Sequence, residues 1–281
     1  KDGGTTGMQA GSTFKIFTIA AAMEAGVSPY QVLDASDDKS FAAGPWGCTD
    51  NYFGPYTVSN STSSGQFNML QGAAFSVNTY FVGLEQLAGL CRTVDIAKRT
   101  GMTLASGGEL PTVQSFTLGS VEISPLALAT SYATMANHGV YCKPHAINRI
   151  VDENDANKKV VAKVEPQCRE AVSREVADST TAVLTHVVDG GIAGRTGAAM
   201  SLGRDTTGKT GTTDTSAAVW FAGYTPSLST AVWVGDPRGG FKYPMKNVYI
   251  NGSYYGQVFG SSLPGPIWKQ AMLGALSDTP P

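Results

Sequence analysis

Charge is scarce in this 281-residue sequence, and concentrated charge is absent from it. Charged residues make up 15%, the net charge is −2, and no cluster exceeds two adjacent Lys or Arg. There is accordingly no electrostatic footprint for a nucleic-acid backbone, and no nucleic-acid partner is expected. Long apolar runs are missing too. The best stretch, Ile16 to Met23, is interrupted by Thr18 and falls short of the ~18 residues that span a bilayer. No signal-peptide pattern stands at Lys1, and there is no internal repeat or low-complexity linker. Zinc patterns are lacking: no Cys-x-x-Cys pair occurs, and His138, His145 and His186 share no ligand spacing. No metal site is expected.

What is present suits a packed enzyme. Hydrophobic residues reach 42%, enough for a sizeable core in a chain of this length. The cysteines number four, Cys48, Cys91, Cys142 and Cys168. An even count without metal spacing points to two disulfides and an oxidising compartment.

The first half, to about residue 138, reads as a helical lobe. Ser12 to Ala25 is a mostly apolar helix stopped by Gly26, and helices are expected over Met69–Ala74, Thr79–Leu90 and Pro125–Ala136. Asp34 to Gly65 is rich in turn residues. From about residue 139 the pattern changes. Ala146–Asp152 and Lys159–Val164 flank Glu153-Asn154-Asp155 as a hairpin, and Arg174–Val188 is helical. Ala217–Thr225 and Ser229–Gly235 form a second hairpin, Thr206–Thr213 precedes them as a third β-type run, and Pro266–Leu276 closes with a helix. The simplest arrangement is α+β, an antiparallel sheet flanked by helices, in one domain over 1–281. Cys142 precedes the first strand of the first hairpin and Cys168 follows its second, so these two pair, which leaves Cys48–Cys91.

Three short motifs occur in order: Ser12-x-x-Lys15, Ser76-x-Asn78 and Lys209-Thr210-Gly211. A serine hydroxyl needs a base beside it to attack. Residues three apart on a helix lie about 5–6 Å apart at Cβ, so Lys15 can reach Ser12. Burial and a second cation, Lys209, would depress the Lys15 pKa enough for it to act as that base. The Ser76 hydroxyl can relay a proton and the Asn78 amide can hold a substrate amide. Lys209 and Thr210 offer charge and a hydroxyl to a substrate carboxylate, and Gly211 lets substrate backbone lie close. The backbone N–H groups of Ser12 and Thr212 would form an oxyanion hole. Two decoys are set aside. Ser36-Asp-Asp-Lys39 repeats the first spacing in a polar stretch with no apolar helix behind it. Gly203-x-x-x-x-Gly208-Lys209-Thr210 matches the phosphate-binding loop pattern, but no helix follows to hold a phosphate.

At these motifs the sequence resembles the transpeptidase domain of penicillin-binding proteins. Ala10-Gly11-Ser12-Thr13-Phe14-Lys15, Ser76-Val77-Asn78-Thr79-Tyr80-Phe81 and Gly208-Lys209-Thr210-Gly211-Thr212-Thr213 are similar to its three boxes. Gly119–Leu126 resembles the segment that precedes the family's return to the sheet, and Gly208–Thr213, Trp220–Pro226 and Ala231–Gly235 are similar to the class A, bifunctional type. The resemblance implies the penicillin-binding-protein/serine β-lactamase-like fold and no cofactor. It implies D,D-transpeptidation of peptidoglycan: Ser12 attacks a stem peptide ending in D-Ala-D-Ala, and a neighbouring amine takes the acyl group. Thr210 and Thr212 would bind the carboxylate of substrate or β-lactam, and β-lactams would acylate Ser12. It places the chain on the extracytoplasmic face of a bacterial membrane, with the parent anchored upstream. A D,D-carboxypeptidase, a β-lactamase and a penicillin-sensing receptor share the boxes. The β-lactamase lacks support, because no Glu-x-x-x-Asn lies between the second and third boxes and Glu122 runs into Ile-Ser-Pro-Leu. The resembled family has a five-stranded sheet, two of whose strands precede the nucleophile box. Here only eleven residues precede Ser12, and Lys1–Gly7 makes a poor strand. The expectation is a fragment without the glycosyltransferase domain, its missing strands supplied by an N-terminal segment of the same parent.

Overall fold

The computed structural model describes residues 7–280, so most of the Lys1–Gly7 stretch lies outside the described residues. In chain order, β1 (Met8–Gln9) leads through a 3₁₀ turn (Gly11–Phe14) into α1 (Lys15–Glu24). Four short strands follow, β2 (Leu33–Ala35), β3 (Lys39–Phe41), β4 (Tyr56–Val58) and β5 (Gly65–Phe67). Next come α2 (Met69–Phe75), α3 (Asn78–Ala88), α4 (Leu90–Arg99), β6 (Glu122–Ile123) and α5 (Pro125–Ala136). The second half holds β7 (Val140–Cys142), β8 (Arg149–Val151), β9 (Val160–Lys163), β10 (Cys168–Glu170) and α6 (Arg174–Val188). It ends with β11 (Thr207–Thr212), β12 (Val219–Thr225), β13 (Leu228–Val234), β14 (Lys246–Ile250), β15 (Ser253–Gln257) and α7 (Pro264–Ala275).

The helix starts are written locally. The Asn68 side chain accepts from the Gln71 amide while the Gln71 side chain accepts from Asn68, a reciprocal cap for α2. Ser124 caps α5 with Pro125 behind it, and Ser173 caps α6. In α1, Lys15 to Ala22 are all buried, as expected of a helix apolar around its whole circumference. It runs through the centre of the molecule between α3, α4 and α6.

The main sheet among the described residues is an antiparallel meander, β11–β12–β13, in which Lys209 faces Ala222 and Ala222 faces Ala231. Every residue of β12 is buried, because helices cover both of its faces. Tyr224 packs on Tyr132 of α5 on one side, and Phe221 packs on Trp268 of α7 on the other. Trp220 donates its indole N–H to the Gln9 carbonyl at 2.7 Å, tying the sheet to the strand ahead of Ser12.

Four features differ from the sequence reading. The helix expected to Leu90 stops at Ala88, because Gly89 turns at φ 101°, and a separate amphipathic helix, α4, follows. The turn-rich stretch folds into two small ladders, β2–β5 and β3–β4. Helix α5, placed by sequence order in the helical lobe, packs on β12 and β13, so residue 138 is no spatial boundary. Strands β7 and β10, not expected from the sequence, form a ladder of their own that sets Cys142 opposite Cys168 just outside the β8–β9 hairpin, where the sequence reading placed the pair. Disulfides join Cys142 to Cys168 and Cys48 to Cys91.

Candidate active site

The turn that carries Ser12 is held by backbone from two sides. Ala10 donates to the Val121 carbonyl at 3.1 Å, and Gly11 donates to the Gly119 carbonyl at 3.0 Å. Gly11 adopts φ 57°, and a Cβ there would lie 3.1 Å from the Thr212 nitrogen. Glycine therefore lets the turn press against β11. Tyr132 of α5 donates its hydroxyl to the Thr13 carbonyl at 2.8 Å and fixes the turn from behind. The Lys15 amide donates to the Ser12 carbonyl, closing a 3₁₀ turn. Side chains three apart eclipse on such a turn, so Ser12 and Lys15 share one edge.

Ser76 ends α2 in the left-handed region, at φ 59° and ψ 39°. A non-glycine residue there costs on the order of 1–2 kcal/mol. The conformation sets its hydroxyl between two amines, 2.7 Å from Lys209 Nζ and 3.3 Å from Lys15 Nζ. Lys15 Nζ also donates to the Ser76 carbonyl at 2.7 Å and to Asn78 Oδ1 at 2.8 Å. Among the described residues its hydrogen bonds thus go to Ser76 and Asn78, whereas the sequence spacing pointed to Ser12 as its partner. Asn78 donates its amide to the Ser59 carbonyl at 3.1 Å. With both ends engaged, one N–H and one lone pair remain for a substrate.

Both lysine amines are fully buried. Burial, and after it the charge of Lys209, holds Lys15 well below the ordinary lysine value. Burial alone brings Lys209 down to about 7. Two cations in a dry site oppose each other, so one amine gives up its proton near neutrality. A neutral Lys15 keeps two N–H bonds for its shorter contacts and a lone pair that accepts from a hydroxyl.

Lys209 Nζ also donates to the Thr210 carbonyl at 3.0 Å, and Thr210 Oγ1 donates to Thr196 Oγ1 at 3.1 Å. The Gly260 amide donates to Thr212 Oγ1 at 3.2 Å. Gly211 has a different reason from the one its sequence suggests. A Cβ there would meet the Ala10 carbonyl and Thr13 Cγ2, both at 2.9 Å, so glycine is required here by the packing of the Ser12 turn on β11.

A cleft of about 230 Å³ opens over this assembly and is lined by Ser12, Ser76, Asn78, Thr210 and Thr212. Thr196, Asp214, Gln257 and Gly260 also line it and were not singled out from sequence. Their motifs carry no recognisable spacing. They reach the cleft through chain reversals, such as Thr215 and Ser216 at φ 58° and 56°, that composition does not announce. The decoys separate cleanly. Lys39 pairs with Asp34 at 3.1 Å on the surface, beside Ser36. Lys209 and Thr210 lie inside strand β11, which is followed by a 3₁₀ turn (Asp214–Ser216) and not by an α-helix N-terminus.

A family profile described as the penicillin-binding protein transpeptidase domain matches residues 4–236. The chain is 32% identical to penicillin-binding protein 1A of Mycobacterium tuberculosis over 97% of its own length and 33% of that protein. It is 31% identical to penicillin-binding protein 1A of Aquifex aeolicus over 94% of its length and 32% of that protein. It therefore spans about a third of the length of the curated relatives it matches. Among solved structures it resembles the penicillin-binding protein PonA1 of M. tuberculosis, with a TM-score of 0.74 and 29% identity over 98% of this chain and 70% of that one. A structure of PonA1 in complex with penicillin V superimposes at 0.71, with 28% identity over 98% of this chain and 71% of that one.

Proposed function

The chain belongs to the penicillin-binding protein transpeptidase family, and from that premise we propose that it is a serine-type D,D-transpeptidase that cross-links peptidoglycan stem peptides through an acyl-enzyme on Ser12. The observation that carries the reading is the Ser76 hydroxyl held between two buried amines, one of them beside Ser12 on the same turn edge. Neutral Lys15 takes the Ser12 proton as the hydroxyl oxygen attacks the amide carbon between two D-alanines. The proton passes through Ser76 to the leaving amine, and D-alanine departs. Lys209, when protonated, supplies positive potential where the tetrahedral oxygen and the substrate carboxylate gather. Thr210 and Thr212 bind that carboxylate, Asn78 holds the peptide amide, and the Ser12 and Thr212 backbone N–H groups receive the oxyanion. The packing of the Gly11 backbone on β11, so close that an added Cβ would stand 3.1 Å from the Thr212 nitrogen, supports that pairing of donors. The amine of a neighbouring stem then takes the acyl group by the reverse proton path.

β-Lactams acylate the same serine in this reading. The two disulfides support placement on the extracytoplasmic side of a bacterial membrane. No helix among the described residues is long and apolar enough to cross a membrane. An N-terminal segment of the parent protein is proposed to extend the sheet, since β13 is an edge strand among the described residues and is only half-buried along its length.

Incubation with a penicillin should add one inhibitor mass to the intact chain, mapped to Ser12 by peptide analysis. Ser12→Ala should abolish the adduct, and Lys15→Ala should slow its formation by roughly 10²–10⁴ with the fold retained. An adduct on another residue, or one that survives Ser12→Ala, overturns the assignment.

A further inference from the structure

Aromatic side chains left in solvent are concentrated in one place. Of the large aromatics that stand out as exposed among the described residues, Tyr30 and Tyr52 lie in the first half, while Phe241, Tyr249, Tyr254 and Phe259 fall within residues 241–259. Solvent-facing rings grouped in this way mark a surface that meets something. The segment is the β14–β15 hairpin with its flanks. Its tip is Asn251-Gly252, both at positive φ, a turn suited to a tight two-residue reversal.

The two faces of the hairpin differ. Val248, Ile250, Tyr255 and Gln257 alternate toward the molecule, and Gln257 donates to Ser216 Oγ at 2.9 Å in the cleft wall. The other face presents Tyr249 and Tyr254 directly opposite one another, 77% and 56% exposed, with ring centroids 5.2 Å apart. Tyr254 donates its hydroxyl to Asn247 Oδ1 at 2.8 Å, which pins the ring and leaves the Asn247 amide N–H groups without a hydrogen bond among the described residues. Gly256, next to Tyr254 on this face, has nothing within 4 Å of where a Cβ would stand. The result is a shelf made of paired rings, a side-chain amide and an open step.

We infer that this shelf binds the saccharide strand that carries the stem peptide. The inference rests on the transpeptidase reading for its ligand, because a peptide substrate of that reaction is borne on a polymer of amino sugars. Three features point to that occupant. The apolar C–H face of a pyranose stacks on an exposed aromatic ring, while its acetamido and hydroxyl groups require amide partners of the kind Asn247 offers. The hairpin that carries the shelf also borders the cleft, since Gln257 on its inner face and Phe259 and Gly260 just beyond it line the cleft. The segment is also basic on an acidic chain: Lys242 in its flank has no acidic partner among the described residues, and residues 241–259 contain no Asp or Glu. Peptide carboxylates along the strand complement that charge.

The probe is a peptide-free β-1,4-linked tetramer of N-acetylglucosamine, titrated into the whole chain and followed by NMR or calorimetry. Saturable binding is expected, weakened at least fivefold by Tyr249→Ala with Tyr254→Ala and to a lesser degree by Asn247→Ala. These side chains are outward, so the penicillin acylation rate should stay within twofold of wild type in each variant, which also reports that the fold is intact. No saturable binding by the wild-type chain, or binding that the shelf variants leave unchanged, overturns the inference. Failure of penicillin to acylate Ser12 in the wild-type chain would strike the transpeptidase reading instead, and the two results are read from separate measurements.

Discussion

At the scale of single residues, the site turns on which of two buried amines holds a proton. The pair titrates as a unit, and the acid limb of the acylation rate belongs to both lysines. The sign follows from the causes. Lys15 is held low first by burial and then by the charge of Lys209. As the proposed base it would be competent when neutral, above its folded-state pKa, and inactive when protonated, below it. Lys209→Met removes the neighbouring charge and leaves the burial, so the Lys15 pKa rises and competence begins at higher pH. The acid limb for penicillin acylation should therefore move toward alkaline pH, with the plateau rate reduced by roughly 10²-fold because Ser76 loses its 2.7 Å donor. Stopped-flow acylation across pH 5–9 measures both, and a limb that stays in place would show that burial alone sets the Lys15 pKa. The identities of these residues were legible in the sequence, since their chemistry demands particular types in a particular order. Their conformations were not. The left-handed φ of Ser76 and the packing reason for Gly211 come from neighbours distant in the chain.

Among the elements, legibility tracked local signals. Helices with caps, such as α5 behind Ser124-Pro125 and α6 behind Ser173, begin where their sequence says. Helix α4 had its own signal, with Leu90, Thr93, Val94, Ile96 and Ala97 on one buried face. It was obscured because Gly89 parts it from α3 without any intervening loop. The small ladders of residues 33–67 gave almost no period to read, as strands of three residues are too short for one. The Cys48–Cys91 bridge holds this irregular stretch to the start of α4, reinforced by the Leu90 amide on the Trp46 carbonyl at 2.7 Å. Cys48 is buried, and Trp46 packs among Phe41, Phe53 and Tyr56. Replacing both cysteines by alanine should cost about 2–4 kcal/mol of stability. The same change at Cys142 and Cys168 should cost less, because that ladder lies outside the core, where Cys168 is exposed. Denaturant melts of the two double variants without reductant compare them. Equal losses would mean that the outer ladder is part of the cooperative unit.

For the whole molecule, the decisive property is how the fold disposes of water once the serine is acylated. Ser12 sits where a central buried helix, a helix end and a sheet edge meet, and the packing on all three sides leaves the cleft as its opening. Hydrolysis of an acyl-enzyme needs a carboxylate or equivalent base that holds a water against the ester. Three acids could be considered. Glu122 is exposed on β6, opposite Gln9 in the small β1–β6 ladder. Glu85 is fully buried on α3 and does not line the cleft, and burial pushes its pKa well above the usual carboxylate range. Asp214 alone among the residues lining the cleft carries a carboxylate, and it lies beyond the end of β11 on the turn that follows Thr213. The neighbours of Ser12 are amines and hydroxyls, arranged for transfer to an incoming amine more than for activation of water. The penicilloyl-enzyme should therefore persist for minutes or longer after excess drug is removed, as followed by intact-mass spectrometry. Asp214→Asn should leave that lifetime unchanged. Rapid turnover of the drug would return a β-lactamase function to consideration, and its loss in Asp214→Asn would identify the base that the geometry here assigns no such part.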